Sequence, residues 1–275
     1  MTAKRDVYTH GHHQSVLQSH NSRTAANSAA YLMDHLLTGA RVLDIGCGPG
    51  SITKDFAELV APEIVVAVDN VEAPLEVARA AAEAAGLSNI RYEVGDVDSL
   101  RFPDASFDVV HAHQVLQHLQ DPVAALREMR RVCAAGGVVA ARDADYAAMT
   151  WYPRSDEMAR WQEIYRAVAS GNGAEPDAGR RLLSWAHQAG FDHVTPSASV
   201  WCYADEESRS AWANGWAERI TQSALATQAV ERGLATAAEL DEIAVGWRTW
   251  AAQPDGWFAV LHGEILCHLG EIRGE

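Results

Sequence analysis

The stretch Val42-Leu43-Asp44-Ile45-Gly46-Cys47-Gly48-Pro49-Gly50-Ser51 constrains the fold of this chain more than any other. Val42, Leu43 and Ile45 form a short apolar run of strand type. The glycines at 46, 48 and 50 let the backbone turn sharply and approach a bound molecule, because they lack a Cβ. Ser51 is placed to cap the helix begun by Ile52-Thr53-Lys54-Asp55-Phe56. A strand, a glycine turn and a helix N-terminus in that order present unpaired N–H groups and a positive dipole end, where an anionic group is stabilised.

Three glycines alone do not select the ligand. A dinucleotide site calls for Gly-x-Gly-x-x-Gly, and here the last glycine of that pattern falls at Ser51. Downstream, Val65-Val66-Ala67-Val68-Asp69-Asn70 is a second apolar strand ending in an acid. It lies at about the 20-residue spacing at which a carboxylate reaches ribose hydroxyls. Together the two features favour a nucleoside-bearing ligand over a plain strand–turn–helix.

Strand and helix alternate from there. Strands are expected at 40–45, 64–68, 90–94, 107–112 and 138–141, and helices at 51–59, 72–85 and 123–132. Gly86 stands as the C′ residue of the second helix. Such alternation implies an α/β fold, a parallel sheet with helices on both faces, and ligands outside the carboxyl ends of the strands. Before the sheet, a helix is expected from Arg23 with Ala25, Ala29, Leu32 and Leu36 on its apolar side and Gly39 at its end. After residue 150 the composition shifts, and all nine tryptophans lie there. A helix over 176–190, a strand over 200–203, helices over 206–233 and 236–252 and a last strand over 258–267 are expected. Trp212 with Trp216, and Trp247 with Trp250, stand at helical spacing, which means packing for most of them and contact with a ligand for a few.

These motifs resemble the class I S-adenosylmethionine-dependent methyltransferases, whose first strand reads much like Val-Leu-Asp-Ile-Gly-Cys-Gly-x-Gly. The resemblance covers roughly residues 40–143. It includes Val94-Gly95-Asp96-Val97, Phe107-Asp108-Val109-Val110 and the Gly136-Gly137 turn, although Cys133-Ala134-Ala135 replaces the usual Leu-Lys-Pro. It implies a Rossmann-like, seven-stranded, mostly parallel sheet with an antiparallel last strand. An N-terminal helical cap (1–39) precedes the methyltransferase domain (40–275), which carries a core (40–146) and helical insertions (about 147–175 and 205–252). It implies S-adenosylmethionine as cofactor. Asp44, Gly46, Gly48 and Gly50 are carried to its methionine part, with Cys47 packed beside it. Asp69, with Asn70, is carried to the ribose, and Asp96, with Val97, to the adenine. His113 and Gln114, just after the fourth strand, are carried to the sulfonium side, and Tyr8 and Arg23 to the N-terminal cover. The pattern is most similar to the small-molecule branch related to ubiquinone and menaquinone C-methyltransferases. A second resemblance, to the prenyl-indole C-methyltransferases of the teleocidin B type, rests on Tyr8-Thr9-His10-Gly11-His12-His13, Arg23-Thr24-Ala25 and the aromatic C-terminal part. It implies C-methylation of a prenylated indole followed by cyclisation of the resulting cation.

A sulfonium methyl is already electrophilic, so a base beforehand is needed only for a protonated oxygen or nitrogen acceptor, whereas a carbon acceptor needs its cation stabilised and a later proton acceptor. His10, His13, His113 and Asp143 are the candidate bases, and Tyr146 could also orient an acceptor. The acceptor is expected to be a hydrophobic small molecule of secondary metabolism. O- or N-methylation is the alternative reading, and a nicotinamide oxidoreductase is disfavoured by Ser51 and by Gly95-Asp96. The formal charge of −15 without a basic cluster argues against nucleic acid and anionic membranes as partners. No apolar leader or spanning run is read, and Cys47, Cys133, Cys202 and Cys267 show no paired spacing. A cytoplasmic protein with reduced thiols, able to form a homo-oligomer, is expected. The spacing of His10, His12, His13 and His20 is too loose for a metal site, so no metal is expected.

Overall fold

The computed structural model describes residues 23–270. The sheet is built from β1 (Val42–Ile45), β2 (Val65–Asp69), β3 (Ile90–Val94), β4 (Phe107–His113), β5 (Cys133–Ala144), β6 (Thr150–Tyr152), β7 (His193–Tyr203) and β8 (Trp257–His268). Its order is β3-β2-β1-β4-β5-β8-β6, and β7 pairs the other side of β8. The first five strands are parallel, whereas β8 runs antiparallel to β5, β6 and β7. All four residues of β1 are buried, which is why its sequence reads as an apolar run rather than an alternation.

The helices among the described residues are α1 (Ala25–Ser28), α2 (Ser51–Val60), α3 (Glu72–Ala84), α4 (Pro122–Val132), α5 (Asp156–Gly171), α6 (Leu182–Gln188), α7 (Glu206–Gln222), α8 (Ala224–Glu231) and α9 (Ala237–Ala251). One face of the sheet is covered by α4 and α6, through Leu126, Met129, Leu182 and Ala186. The opposite face is covered by α2 and the N-terminal turns, through Phe56, Leu32 and Leu36. A third apolar cluster lies beyond the strand ends. There α5, α7, α8 and α9 gather Trp161, Trp216, Trp247 and Trp250 around Phe258 of β8.

Several elements differ from the sequence expectation, each for a local reason. Gly50, at φ +75°, is the N-cap of α2, and Ser51 is its first helical residue. The helix expected from Arg23 is α1 followed by a 3₁₀ turn over Ala30–His35. Thr24 and Asn27 close a capping box on α1, and Ala25, Ala29, Leu32 and Leu36 are all buried as the pattern requires. The helix expected over 206–233 breaks at Ser223, whose hydroxyl accepts from Leu225 N and caps α8. Strand β7 begins seven residues earlier than read, at His193, and β6 is an eighth strand that was not read at all. Residues 176–190 hold a 3₁₀ turn over Ala178–Arg181 and then α6. Among the described residues no helix is long and apolar enough to cross a membrane. All four cysteines are free thiols.

Candidate active site

The glycine turn is pinned to β2, since Gly46 N and Cys47 N both donate to Val68 O, at 2.7 and 3.1 Å. Two of its glycines are required by neighbouring protein. Gly46 has φ +66°, and a Cβ there would overlap the Val115 side chain. A Cβ on Gly50 would stand 2.9 Å from the Ala78 Cβ. The missing side chains therefore let the β4 loop and α3 close on the turn. Asp69, at the end of β2, ties this region together. Its Oδ2 accepts from Gly48 N at 3.0 Å and its Oδ1 from Val71 N at 3.2 Å.

Register places Asp44 on β1 beside His111 on β4. The buried Asp44 carboxylate accepts from Thr53 Oγ1 at 2.6 Å, and its other oxygen meets His111 Nδ1 at 2.8 Å. The Phe56 ring stands edge-on to the imidazole, with centroids 5.0 Å apart. Asp96 closes the adjoining 3₁₀ turn Val97–Ser99 by accepting from Asp98 N at 3.1 Å. The Cys47 thiol is held well above its usual pKa by burial, reinforced by the Asp44 and Asp69 charges. It is protonated and no nucleophile.

At the end of β4, Gln114 adopts φ +55°, a left-handed conformation uncommon outside glycine, and its N–H donates to Arg142 O at 2.7 Å. Its side chain is the middle of a directional hydrogen-bond chain. His262 Nδ1–H donates to Val260 O at 3.1 Å, so His262 Nε2 is the acceptor for Gln114 Nε2–H at 2.8 Å. Gln114 Oε1 then accepts from Arg23 Nη2 at 2.9 Å. This tautomer needs a neutral His262, and burial, aided by Arg142 and Arg23, holds its pKa well below 6.5. His113 is stacked between His111 and His262, at 6.5 and 6.2 Å, and neither ring nitrogen has a partner among the described residues. Burial, and secondarily the Arg23 and Arg142 charges, keep it neutral as well.

These groups border one cavity of about 570 Å³, a volume typical of small-ligand sites. Its first half is lined by the glycine turn, Asp69, Asn70, Asp96 and Val97. Its second half is aromatic, with Tyr146, Trp201, Trp212 and Trp216 on the wall beside Arg23 and Arg219. Trp212 stacks on Tyr203 at 4.4 Å and meets Trp216 edge-on at 6.0 Å. The Arg219 guanidinium lies 5.1 Å from the centre of the Trp216 ring, and Arg23 lies 5.6 Å from that of Trp201.

The donor set of the first half fits a nucleoside. A carboxylate closes β2, a second acid follows β3, and the N-terminal end of α2 opens on the cavity at Ser51 and Ile52. The family model for a methyltransferase domain matches residues 36–197. The chain belongs to this methyltransferase family. An uncharacterised methyltransferase of Schizosaccharomyces pombe is 32% identical over 94% of this chain and 95% of that protein. The ubiquinone/menaquinone biosynthesis C-methyltransferase of Hahella chejuensis is 41% identical over 36% of this chain and 41% of its own length. The crystal structure of a putative methyltransferase from Bacillus halodurans superposes with a TM-score of 0.57 at 19% identity, covering 88% of this chain and 98% of that one. The chain is thus an S-adenosylmethionine-dependent methyltransferase with a Rossmann-like sheet, as its sequence implied.

The structure gathers most of the expected site residues in this methyltransferase. Asp44, Gly46, Cys47, Gly48, Asp69, Asn70, Asp96, Val97, His113, Gln114 and Arg23 all line the cavity. Gly50 lies behind the turn, against Ala78. Asp143 does not line the cavity. It is fully buried and its Oδ1 accepts from Gln117 N at 3.1 Å, so it braces the 3₁₀ turn Leu116–His118. Burial pushes its pKa up to about 8. Tyr8, His10, His13 and His20 lie outside the described residues. Among the described residues no cluster of three His, Cys, Asp or Glu side chains has a metal-holding arrangement. Sequence reasoning missed His262, a fully buried histidine inside the apolar strand β8, and Arg219. The signals were a polar residue in an apolar strand and an arginine three positions after Trp216.

Proposed function

We propose that the methyltransferase alkylates a flat, hydrophobic small molecule of secondary metabolism held in the aromatic half of the cavity. The observation that carries this is the continuity of the cavity, which runs from the glycine turn and Asp69 to Trp201 and Trp212 past His113 and Gln114. When bound, S-adenosylmethionine supplies an electrophilic methyl on a sulfonium. In this reading Asp69 holds the ribose hydroxyls, Asn70 flanks them, and Asp96 with Val97 borders the adenine. Asp44, Gly46, Gly48 and Cys47 border the methionine part. His113 and Gln114 stand between the two halves and orient the acceptor, while the surrounding rings exclude water.

His113 is a weak base here, because the environment that keeps it neutral also disfavours its protonated form. Asp143 is removed from the cavity. Attack by an acceptor carbon that needs no deprotonation beforehand is therefore the better reading, and C-methylation is preferred over O- or N-methylation of a neutral group; the cation formed by the new C–CH3 bond is acidic enough to pass its proton to a base as weak as His113. The aromatic faces of Tyr146, Trp201, Trp212 and Trp216 favour a second, finer reading, in which a prenylated indole is C-methylated and the resulting cation cyclises. The guanidinium groups of Arg23 and Arg219 on the same wall weigh against it, since they disfavour a developing cation.

The test is methyl transfer from labelled S-adenosylmethionine to a panel of prenylated indoles, quinols and planar aromatic acids, with products resolved by mass spectrometry. A product carrying the label on carbon is expected. Exclusive labelling of oxygen or nitrogen overturns the carbon assignment.

A further inference from the structure

Strand β7 sets Trp201 on the wall of the aromatic half of the cavity. Its indole N–H donates to Asn27 O of α1 at 2.8 Å, and its ring meets that of His262 edge-on, with centroids 4.4 Å apart. The guanidinium carbon of Arg142 stands over the same ring, 4.8 Å from its centre. Arg142 is fully buried and does not itself line the cavity. Register sets it opposite Glu264 of β8, and Glu264 opposite Ser197 of β7, so the three side chains share one face of the sheet. Its Nε–H is shared between Glu264 Oε1 at 3.1 Å and Ser199 Oγ at 3.0 Å. Glu264 Oε2 accepts from Ser197 Oγ at 2.7 Å. Both Nη groups of Arg142 are buried and find no acceptor among the described residues. The Trp201 ring takes the place of one.

We infer that Arg142 is a positioning residue of the methyltransferase: held by Glu264, its guanidinium fixes the plane of Trp201 and so the shape of the acceptor chamber. This rests on the reading of the cavity's aromatic half as the acceptor site. Two buried charges are a poor source of stability, since an apolar pair of the same volume serves as well or better. What the pair supplies is direction. Glu264 and Ser199 hold the guanidinium at Nε, and a cation is attracted to the face of an indole rather than its edge. A turn of Trp201 away would leave the Nη groups buried with neither acceptor nor ring, a costly state for a charged donor. The ring therefore keeps its plane, and it selects acceptors that fit beside it in that plane. The same ring carries the tie to Asn27, so its plane also sets how α1, with Arg23 just before it, meets the cavity wall. Arg142 performs no chemical step.

The experiment compares Arg142→Met, and Arg142→Met combined with Glu264→Gln, with the unmutated full chain, each labelled with nitrogen-15 tryptophan. NMR reads how fast the Trp201 indole N–H exchanges with deuterated solvent. Its signal is assigned by its loss in Trp201→Phe, and the buried indoles of Trp161 and Trp247 serve as references. Arg142→Met leaves Glu264 without its cation and is expected to lower Tm, and the double variant is expected to regain most of that loss. In both variants Trp201 is expected to exchange about tenfold faster than in the unmutated protein, with the reference indoles unchanged in the double variant. Calorimetry with S-adenosylhomocysteine present is expected to show 2-naphthol, the probe for a flat acceptor, bound about tenfold more weakly by the double variant. Affinity for S-adenosylhomocysteine itself is expected to stay within about twofold. Unchanged Trp201 exchange in the double variant overturns the inference, as does 2-naphthol affinity that returns together with Tm. Failure of 2-naphthol to bind the unmutated protein strikes the acceptor-site reading instead, and exchange at Trp201 still decides whether Arg142 fixes the ring.

Discussion

The two halves of the cavity are built by opposite means. The glycine-turn half comes from three short stretches, 44–51, 69–71 and 94–97, and its defining contacts run from backbone N–H groups to a carboxylate. The aromatic half is assembled from His113, Tyr146, Trp201, Trp212, Arg219 and Val260, spread over almost 150 positions and held by side-chain packing. A backbone cradle binds what every member of a fold class binds. A wall of side chains on long insertions can be rebuilt without disturbing the cradle, which is how one sheet serves many acceptors.

That contrast can be broken by mutation. The largest effect is expected from Trp161→Ala. Trp161 is fully buried and packs edge-on against Trp216 at 4.5 Å and Trp247 at 4.8 Å. Its loss should cost about 3–5 kcal/mol of stability by denaturant unfolding. If α7 and the cradle are separable, residual folded protein at low temperature should keep its affinity for S-adenosylhomocysteine. Parallel loss of that affinity would show the halves to be one unit.

Next in size is Asp69→Asn. The amide nitrogen cannot accept from Gly48 or Val71, nor from a ribose hydroxyl. Affinity for S-adenosylhomocysteine should fall about ten- to a hundredfold by calorimetry. The Tm of the protein without cofactor should change far less than that affinity. Retained affinity for S-adenosylhomocysteine would remove Asp69 from the cradle's binding role.

The smallest effect is a pH signature. His113, His118 and His262 are buried with pKa values pushed below 6.5, His118 to about 3, with burial the main cause in each. The unfolded chain therefore takes up more protons than the folded one below about pH 6.5, so stability should fall as pH drops from there toward about 3. Asp143 has the opposite sign. Its folded pKa of about 8 exceeds the ordinary carboxylate value, so its contribution is lost as pH rises from about 4 to about 8. Between about pH 6.5 and 8 the histidines are neutral in both states, and Asp143 should dominate these buried groups, lowering Tm slightly. Asp143→Asn should flatten that segment of the curve of Tm against pH. A slope unchanged by the substitution would exclude Asp143 as its origin.

Legibility followed the same division. The β1–α2 turn, β2 with Asp69, and the alternation through β5 were readable because each signal is local: an apolar run, a glycine, an acid at fixed spacing. Strand β7 was read too short because Pro196, Ser197 and Ser199 lack strand propensity. Pairing with the long β8, through Pro196 opposite Ile265 and Ser197 opposite Glu264, makes them a strand regardless. The three residues of β6 carry too short a pattern to register. The break at Ser223 was hidden inside a continuous run of helix formers. Asp143 was placed correctly near a strand end, but the side of the strand it faces is set by register, which no local spacing reveals. His262 and Arg219 became site residues only through contacts made across the whole chain.

The chain of hydrogen bonds from Val260 through His262 and Gln114 to Arg23 has a sense of direction, each donor pointing toward the interior of β8. A proton added to His262 would turn an acceptor into a donor and force the Gln114 amide to flip. The flipped amide would then present N–H to the Arg23 guanidinium, and that one hydrogen bond would be lost. One hydrogen bond on the flank of the cavity is therefore latched from a strand some 240 positions away, and it holds only while that imidazole stays uncharged.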